Sequence, residues 1–535
     1  MRASPPVAPA GTAGTAGQRR HRRIAGLVGL LLAALLVAGG QPWLVLALPG
    51  AAALVAVAVL RPMWLLCAAV LTLIVIPTYI RFKLLPGLPP LPVALALLAL
   101  LGATLLLAGL LGERRMAPLG ADGRRMVAAM TCFSAALAVT LFDARTGANS
   151  VDFWIKIVAV PGLLCFAMLR LLRSARDLRL VFLMLVAGAL IASLYAVGEF
   201  VAGTNVILQY FQGQGDEADW YWEGADFAAA GQLQRTYSLL TNPIEFGALL
   251  SMVLPYTLLR LMDSPPGRAR LGWLLSAVLL LVGITLSFSR GPMLAAALTT
   301  LWLAWIFPTL RRWLAGGLLA ALLALATAWP WVGERISDRV TDAGNVTLRL
   351  KLWSIALHMA ADHPLLGVGL GNFPAYQMQT LDRHRISVLG EPNAVRVQTT
   401  ENLYLQFAAE TGVLGLIGLA GLAWTCLRLA QRLARHLPAG EERLLLHASV
   451  AGVAAYAVNG LTVVSYQLYV ITVTCGFMFG VLLVLDRSVH AAADRADGTG
   501  PHARPGGPDA SGRSGSAPGR CQAPVLERSV RSDLP

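Results

Sequence analysis

Four charged residues stand where so apolar a chain would be expected to avoid charge. Arg290 lies in "LSFSRGPMLA", at the seam between two apolar runs, and Arg235 lies in "GQLQRTYSLLTNPIEFGALL", just before another. Arg349 lies in "NVTLRLKLWSIALHMAADHPLLGVGLGNFPAY". Glu401 lies in "TTENLYLQFAAETGVLGLIGLAG", at the mouth of a further run. A guanidinium offers a planar fork of donors suited to phosphate oxygens. A carboxylate near a helix N-terminus is electrostatically favoured, and within hydrogen-bond reach it can take a proton from a hydroxyl. Gly291, beside Arg290, lets backbone approach closely. Each residue also has a plainer reading: an arginine that snorkels to headgroups, an ordinary acid in a first helical turn. Taken together, a cluster of positive charge repels itself without an anion. That points to a polyanionic substrate such as a lipid diphosphate entering from a bilayer.

The elements that must position these residues are membrane spans. Of 535 residues, 56% are hydrophobic and only 13% charged, where a soluble protein carries about a quarter charged. The sequence therefore predicts an all-α, polytopic integral membrane protein with about 12–14 transmembrane helices. The candidate runs are 24–40, 43–60, 62–80, 91–110, 124–141, 152–170, 178–199, 239–261, 271–288, 291–308, 313–330, 402–427, 444–464 and 467–486. The first two also fit a re-entrant pair. The N-terminal run reads as a first spanning helix and not as a cleaved signal.

Charge sets the orientation. With "RRHRR" of the N-terminus in the cytoplasm, alternation puts "RLLRSARDLR", "RLMDSPPGRAR" and "RLAQRLARHLPAGEER" on the same side. The opposite short loops hold little that is basic beyond Arg81, Lys83 and Arg145, which is the positive-inside bias. The net charge of +14 is explained by that bias, and nucleic acid is not expected as a partner. The organisation follows: a basic N-terminus (1–23), N-terminal helices (24–199), an outer loop (200–238), helices with the "SRG" piece (239–330), a long outer loop with an amphipathic helix (331–401), C-terminal helices (402–486) and a disordered tail (487–535).

Several further residues bear on the site. Asn242 and Pro243 suit a helix start, with Glu245 in its opening turn. Leu348, Leu352, Ile355, Ala356 and Met359 make an apolar stripe, with Arg349, Lys351 and His358 off it, so 347–361 reads as a helix on or near the outer membrane surface. Gly367, Gly369 and Gly371 permit a tight path close to a ligand. Thr399 or Thr400 suits a cap for the helix that follows, and Glu410, further along it, reads as an ion-paired or hydrogen-bonded structural group. In the 200–238 loop, Trp220 and Trp222 stand among carboxylates, an arrangement suited either to stacking on sugar rings or to an interfacial aromatic belt. The six cysteines have no metal-ligand or CxxC spacing. There is no P-loop and no compact acidic cluster, so no metal or cofactor is expected.

The pieces "RTYSLLTNPIEFG" (235–247), "SFSRGPMLA" (287–295), "LRLKLWSIALHMAADHPLLGVGLGNF" (348–373) and "TTENLYLQFAAETGVLGLIG" (399–418) resemble those of the O-antigen ligase and polymerase superfamily of bacterial membrane proteins. The resemblance covers roughly residues 150–485. It implies an inner-membrane protein that handles undecaprenyl-diphosphate-linked glycans at the periplasmic face; the charge pattern above places both termini in the cytoplasm. The resemblance implicates Arg290 and Arg349 in holding the diphosphate and sets Arg235 at a commonly basic position. Together with the residue readings above, the candidate catalytic residues are Glu401, Arg290 and Arg349, and the candidate substrate-binding residues are Arg235, Lys351, Asn402, His363, Trp220 and Trp222. The implied partners are the lipid-linked donor, an acceptor glycan or lipid, and a flippase and chain-length regulator of the same pathway. Ligases carry a His before the Asn of the last motif, whereas here Glu401 precedes Asn402. This departure favours a polymerase of repeat units, with ligation to lipid A core or another acceptor as the alternative. A polysaccharide or lipid transporter is the alternative from another class.

Overall fold

The computed structural model describes residues 48–78, 80–82, 91–111, 118–143, 146–212, 235–317, 344–385 and 399–496. The basic N-terminus, the run at 24–40, most of the run at 313–330, Trp220, Trp222 and residues 497–535 lie outside these. The chain divides into a unit of residues 1–491 and a second of 492–535, and the candidate site residues all fall in the first.

The architecture is all-α, as the apolar runs predict. The helices in chain order are α1 (Leu48–Leu60), α2 (Pro62–Val75), α3 (Val93–Leu110), α4 (Ala121–Thr140) and α5 (Gly147–Leu171). Then come α6 (Ala175–Ala202), the short α7 (Val206–Gln212), α8 (Pro243–Asp263), α9 (Arg268–Leu286) and α10 (Arg290–Ile306). The last five are α11 (Gly344–Asp362), α12 (Phe373–His384), α13 (Leu403–His436), α14 (Glu441–Asn459) and α15 (Tyr469–Ala496). A two-residue antiparallel pair, β1 (Arg81–Phe82) with β2 (Leu91–Pro92), leads into α3.

Among the described residues, seven helices are long and apolar enough to cross a membrane, or eight if α1 and α2 make one span bent by 114°. Three expected spans form helices of a different character. α4 opens on Asp122, Arg124 and Arg125, α14 opens on Glu441, Glu442 and Arg443, and α10 has only 17 residues. α15 continues past the expected boundary at 486 to Ala496.

Local chemistry explains where helices begin. Ser174 and Asp177 form a reciprocal capping box at the start of α6. Asn242 Oδ1 accepts from Ile244 N at 2.7 Å ahead of Pro243, as the sequence predicts for α8. Packing then sorts the helices. α8 is buried nearly throughout and, with α15, forms the centre of the bundle. Small residues let neighbours close on it: a Cβ at Gly247 would sit 2.6 Å from Ser287 Oγ, and one at Gly283 would sit 2.6 Å from Leu250 Cδ1. Lipid tails are as apolar as leucine, so such close approach, and not burial from water, selects the central helices. α9 instead turns Leu271, Leu275, Val278 and Leu281 outward, which suits a lipid-facing surface.

The charged side chains separate to two ends. At one end, Arg260 reaches Asp263 at 3.2 Å and Glu441 at 3.8 Å, and Arg179 reaches Glu441 at 3.6 Å. Arg432 lies 3.4 Å from Asp486 and 3.8 Å from Asp122. The other end gathers the starts of α8, α10, α13 and α15 and the ends of α9 and α14, and it holds the residues singled out from the sequence.

Candidate active site

Arg235 is joined to the α9–α10 corner. Its Nη2 donates to Ser289 Oγ at 2.8 Å and its Nε to Ser287 O at 3.3 Å. Thr236 N and Oγ1 both donate to Leu286 O, at 3.2 and 3.0 Å. The turn after Arg235 is fixed from below by Glu199 of α6, whose carboxylate accepts from Tyr237 N at 2.9 Å, Ser238 N at 2.7 Å and Asn205 Nδ2 at 3.1 Å. Arg290 opens α10 and is exposed. A Cβ at Gly291 would lie only 1.8 Å from Thr462 Oγ1, so α10 begins hard against the turn that follows α14.

That turn also carries the mouth of α13. Leu403 N donates to Gly460 O at 2.7 Å and Asn402 Nδ2 to Leu461 O at 3.3 Å. Glu401, next in line, forms a short ion pair with Arg349 of α11. Both side chains are 38% exposed, so the pair is open to an incoming ligand. One turn along α11 from Arg349, Trp353 Nε1 donates to Thr400 O at 3.0 Å. Contacts thus run from Arg235 through Ser289, Arg290, Gly291, Thr462, Leu461 and Asn402 to Glu401 and Arg349. The three arginines and the carboxylate share one end of the bundle, where Arg349 and Glu401 meet directly.

Backbone strain marks the same segments. Among the described residues, four non-glycine residues have positive φ: Ser238 (57°), Phe288 (46°), Arg385 (51°) and Glu401 (50°). The first two flank Arg235 and Arg290, and the last is the candidate base. Such a conformation costs of order 1–2 kcal/mol and persists only where surrounding bonds hold it, commonly at functional sites.

The other expected positions are distributed differently. Asn402, not Thr399 or Thr400, caps α13: its Oδ1 accepts from Tyr404 N at 3.0 Å and Leu405 N at 3.1 Å. Thr400 Oγ1 instead accepts from Asn402 N at 3.2 Å. Lys351 is half-buried two residues beyond Arg349, which turns it to another face of α11. His363 packs edge-on to Tyr376 with ring centroids 5.9 Å apart. It follows the end of α11, about 20 Å along the axis from Arg349 at 1.5 Å per residue, and is not brought to the Arg349–Glu401 pair. The α11 stripe of Leu352, Ile355, Ala356 and Met359 is buried against Val368, Phe373, Leu381 and Ala409. It therefore packs on α12 and α13 and not on a membrane surface as expected. At the far end of α11, Asp362 receives His384 Nε2 and Arg383 Nη1, each at 2.9 Å. These two bonds hold its carboxyl below the ordinary carboxylate range, His384 contributing most.

The glycine-bearing loop between α11 and α12 is held to α13. Gly367, Gly369 and Gly371 have φ of 68°, 90° and 75°. α13 itself is broken at Gly412 (φ 59°, ψ −158°), and residues 364–368 fill the break. Val368 N donates to Ala409 O at 3.0 Å, Val413 N to Pro364 O at 2.9 Å and Leu414 N to Leu365 O at 3.2 Å. The backbone groups freed by the kink are satisfied inside the protein, as a span requires. Asn372 ties the loop to α5, accepting from Thr146 N at 2.9 Å and donating to Ser150 Oγ at 2.8 Å. Glu410 is a fully buried, hydrogen-bonded group, the second of the two structural roles expected from the sequence.

Sequence reasoning did not find Glu199, Gln406, Thr462 or Tyr466. Glu199 carries a usable signal, a lone carboxylate closing an apolar run. The others are neutral residues whose role exists only through contacts distant in sequence. Among the described residues, no group of three or more His, Cys, Asp or Glu could hold a metal ion.

These features define a multi-pass, all-α membrane protein with a basic and acidic cluster at one end of its bundle. Residues 275–420 match a family model described as O-antigen ligase, and that match supports an O-antigen ligase/polymerase-like superfamily for this chain. The matched segment contains Arg290, Arg349 and Glu401, and Arg235 lies before it. No curated protein gives a significant match.

Proposed function

We propose that this protein joins oligosaccharide repeat units carried on undecaprenyl diphosphate, at the periplasmic face of a bacterial inner membrane. The observation that carries this reading is the half-exposed Arg349–Glu401 pair at the mouth of α13, beside the turn that abuts Arg290. In the resting arrangement the two charges neutralise each other. A donor diphosphate competes for Arg349, and with Arg290 and Arg235 it is held by three guanidinium groups. Glu401 is then released toward the acceptor hydroxyl.

The reaction is a single displacement. The acceptor oxygen attacks the anomeric carbon, the bond from that carbon to the diphosphate oxygen breaks, and the hydroxyl proton passes to Glu401. The leaving lipid diphosphate keeps the bonding electron pair, and the arginines stabilise its charge. The anomeric configuration inverts. The activated donor supplies the driving force, so neither nucleotide nor metal enters the scheme. The flippase and chain-length regulator of the same pathway are the proposed partners, and both chain termini lie in the cytoplasm.

Ligation of finished glycan to an acceptor is the second reading, favoured by the O-antigen ligase description of the matched family. Membranes from a host lacking the gene separate the two. Single repeat units accumulating on the carrier, with long chains lost, are expected for a polymerase. Full-length chains stranded on the carrier would mean ligase. Unchanged pools would sink both and favour a transporter.

A further inference from the structure

We propose that Glu410 and Gln406 are positioning residues that lock the glycine loop 367–373 and the Thr400–Asn402 turn into one fixed relation, and so hold Glu401 against Arg349. The inference rests on the reading of Glu401 and Arg349 given above.

Glu410 accepts four hydrogen bonds. Oε2 takes Gly371 N at 2.7 Å and the Tyr466 hydroxyl in a short bond. Oε1 takes Phe373 N at 3.3 Å and Gln406 Nε2 at 3.1 Å. Gln406 passes the constraint on, because its Oε1 accepts from Thr400 N at 3.0 Å and its Nε2 also reaches the Tyr466 hydroxyl at 3.2 Å. Thr400 is the residue before Glu401, and its carbonyl is held by Trp353, one turn from Arg349. Glu410, Gln406 and Thr400 are fully buried, and Tyr466 is 1% exposed. Burial, and then the neighbouring Glu410, push the Tyr466 phenol well above its ordinary value, which keeps it a donor.

Two features separate this from ordinary core packing. A carboxylate at this depth is costly, and an apolar pair would pack more stably unless the polar network fixes a geometry. Moreover, all four partners of Glu410 donate. The isosteric amide must turn its NH2 toward either Gly371 and Tyr466 or Phe373 and Gln406, where donor meets donor. The chain of bonds ends on Thr400, and the next residue, Glu401, is held at φ 50°, a conformation that needs outside support.

The test uses the full chain in lipid nanodiscs, with two readouts on each variant: amide exchange by mass spectrometry over 367–373 and 399–402, and turnover with a lipid-diphosphate-linked donor. For Glu410→Gln, exchange in both segments is expected to rise about tenfold or more while α9 stays unchanged. Its kcat is expected to fall about 100-fold, with KM for the donor shifting far less. Glu401→Gln is expected to lower kcat without changing exchange over 367–373. Tyr466→Phe removes one donor and leaves the carboxylate; intermediate values in both readouts are expected, and this variant decides the matter if Glu410→Gln does not fold. Exchange that stays at the parent level in the folded variants overturns the positioning role, whatever turnover does. Raised exchange with full turnover overturns it as well. If the parent chain transfers no sugar at all, the functional reading fails, and exchange alone then decides whether the lock exists.

Discussion

At the residue scale, the site pairs groups of opposite charge that are only half covered. An exposed ion pair contributes little to stability, about 0–1 kcal/mol, so Arg349 and Glu401 are poorly explained as a structural staple. Their value lies in what each can do once separated. Arg349→Ala and Arg290→Ala are each expected to lower transfer about 100-fold or more while leaving thermal unfolding in detergent nearly unchanged, since Arg349 is 38% exposed and Arg290 is exposed. Arg349→Lys keeps the charge but loses the planar fork, and should recover only part of the activity. Donor turnover and unfolding midpoints measured side by side check this. An arginine variant that loses stability in step with activity would assign these residues to the fold instead.

At the element scale, the site depends on helix ends pressed together with no room to spare. α10 starts where Gly291 meets Thr462, and any side chain at 291 collides with the Thr462 hydroxyl. Gly291→Ala should therefore push Arg290 away from the α14–α15 turn and cost about 1–3 kcal/mol of stability through overpacking. Thr462→Ala removes the hydroxyl but leaves its Cβ 2.9 Å from the new methyl, so it should restore part of that loss in the double variant. A double-mutant cycle on the unfolding midpoint measures the coupling, and simple additivity would contradict the close contact. The break at Gly412 shows the same economy. Its freed amides bond to Pro364 and Leu365, so the loop between α11 and α12 is also what makes the kinked span tolerable. The motif "ETGVLG" displays its glycine in the sequence, but the carbonyls that complete the kink come from more than forty residues upstream.

At the scale of the whole molecule, two groups of charged residues lie at opposite ends. One end collects Arg179, Arg260, Glu441, Arg432 and Asp486. The other collects Arg235, Arg290, Arg349 and Glu401. From the positive-inside bias, the first end is expected in the cytoplasm. Single cysteines placed at Pro266 and at Leu461, in a chain whose native cysteines are replaced, should react with an impermeant thiol reagent from opposite sides of the membrane. Pro266 should label only in inverted vesicles and Leu461 only in intact cells. Labelling of both from one side would overturn the arrangement.

The sequence by itself determined the class of protein and set the expected orientation of its loops. Apolar run length is set by bilayer thickness, and loop charge by orientation, so both are written locally in the chain. It also marked Arg235, Arg290, Arg349 and Glu401, because charge beside an apolar run is conspicuous wherever it occurs. Only the tertiary structure decided which of the marked residues meet. It paired Arg349 with Glu401, left His363 at the far end of α11, and gave Asn402 the capping role that Thr399 or Thr400 suited in the sequence. It also turned the α11 stripe inward, because an apolar face serves a helix neighbour and a lipid surface equally well and its pattern cannot say which. Gln406, Tyr466 and Thr462 acquire their roles from partners tens of residues away, through bonds that no local pattern encodes.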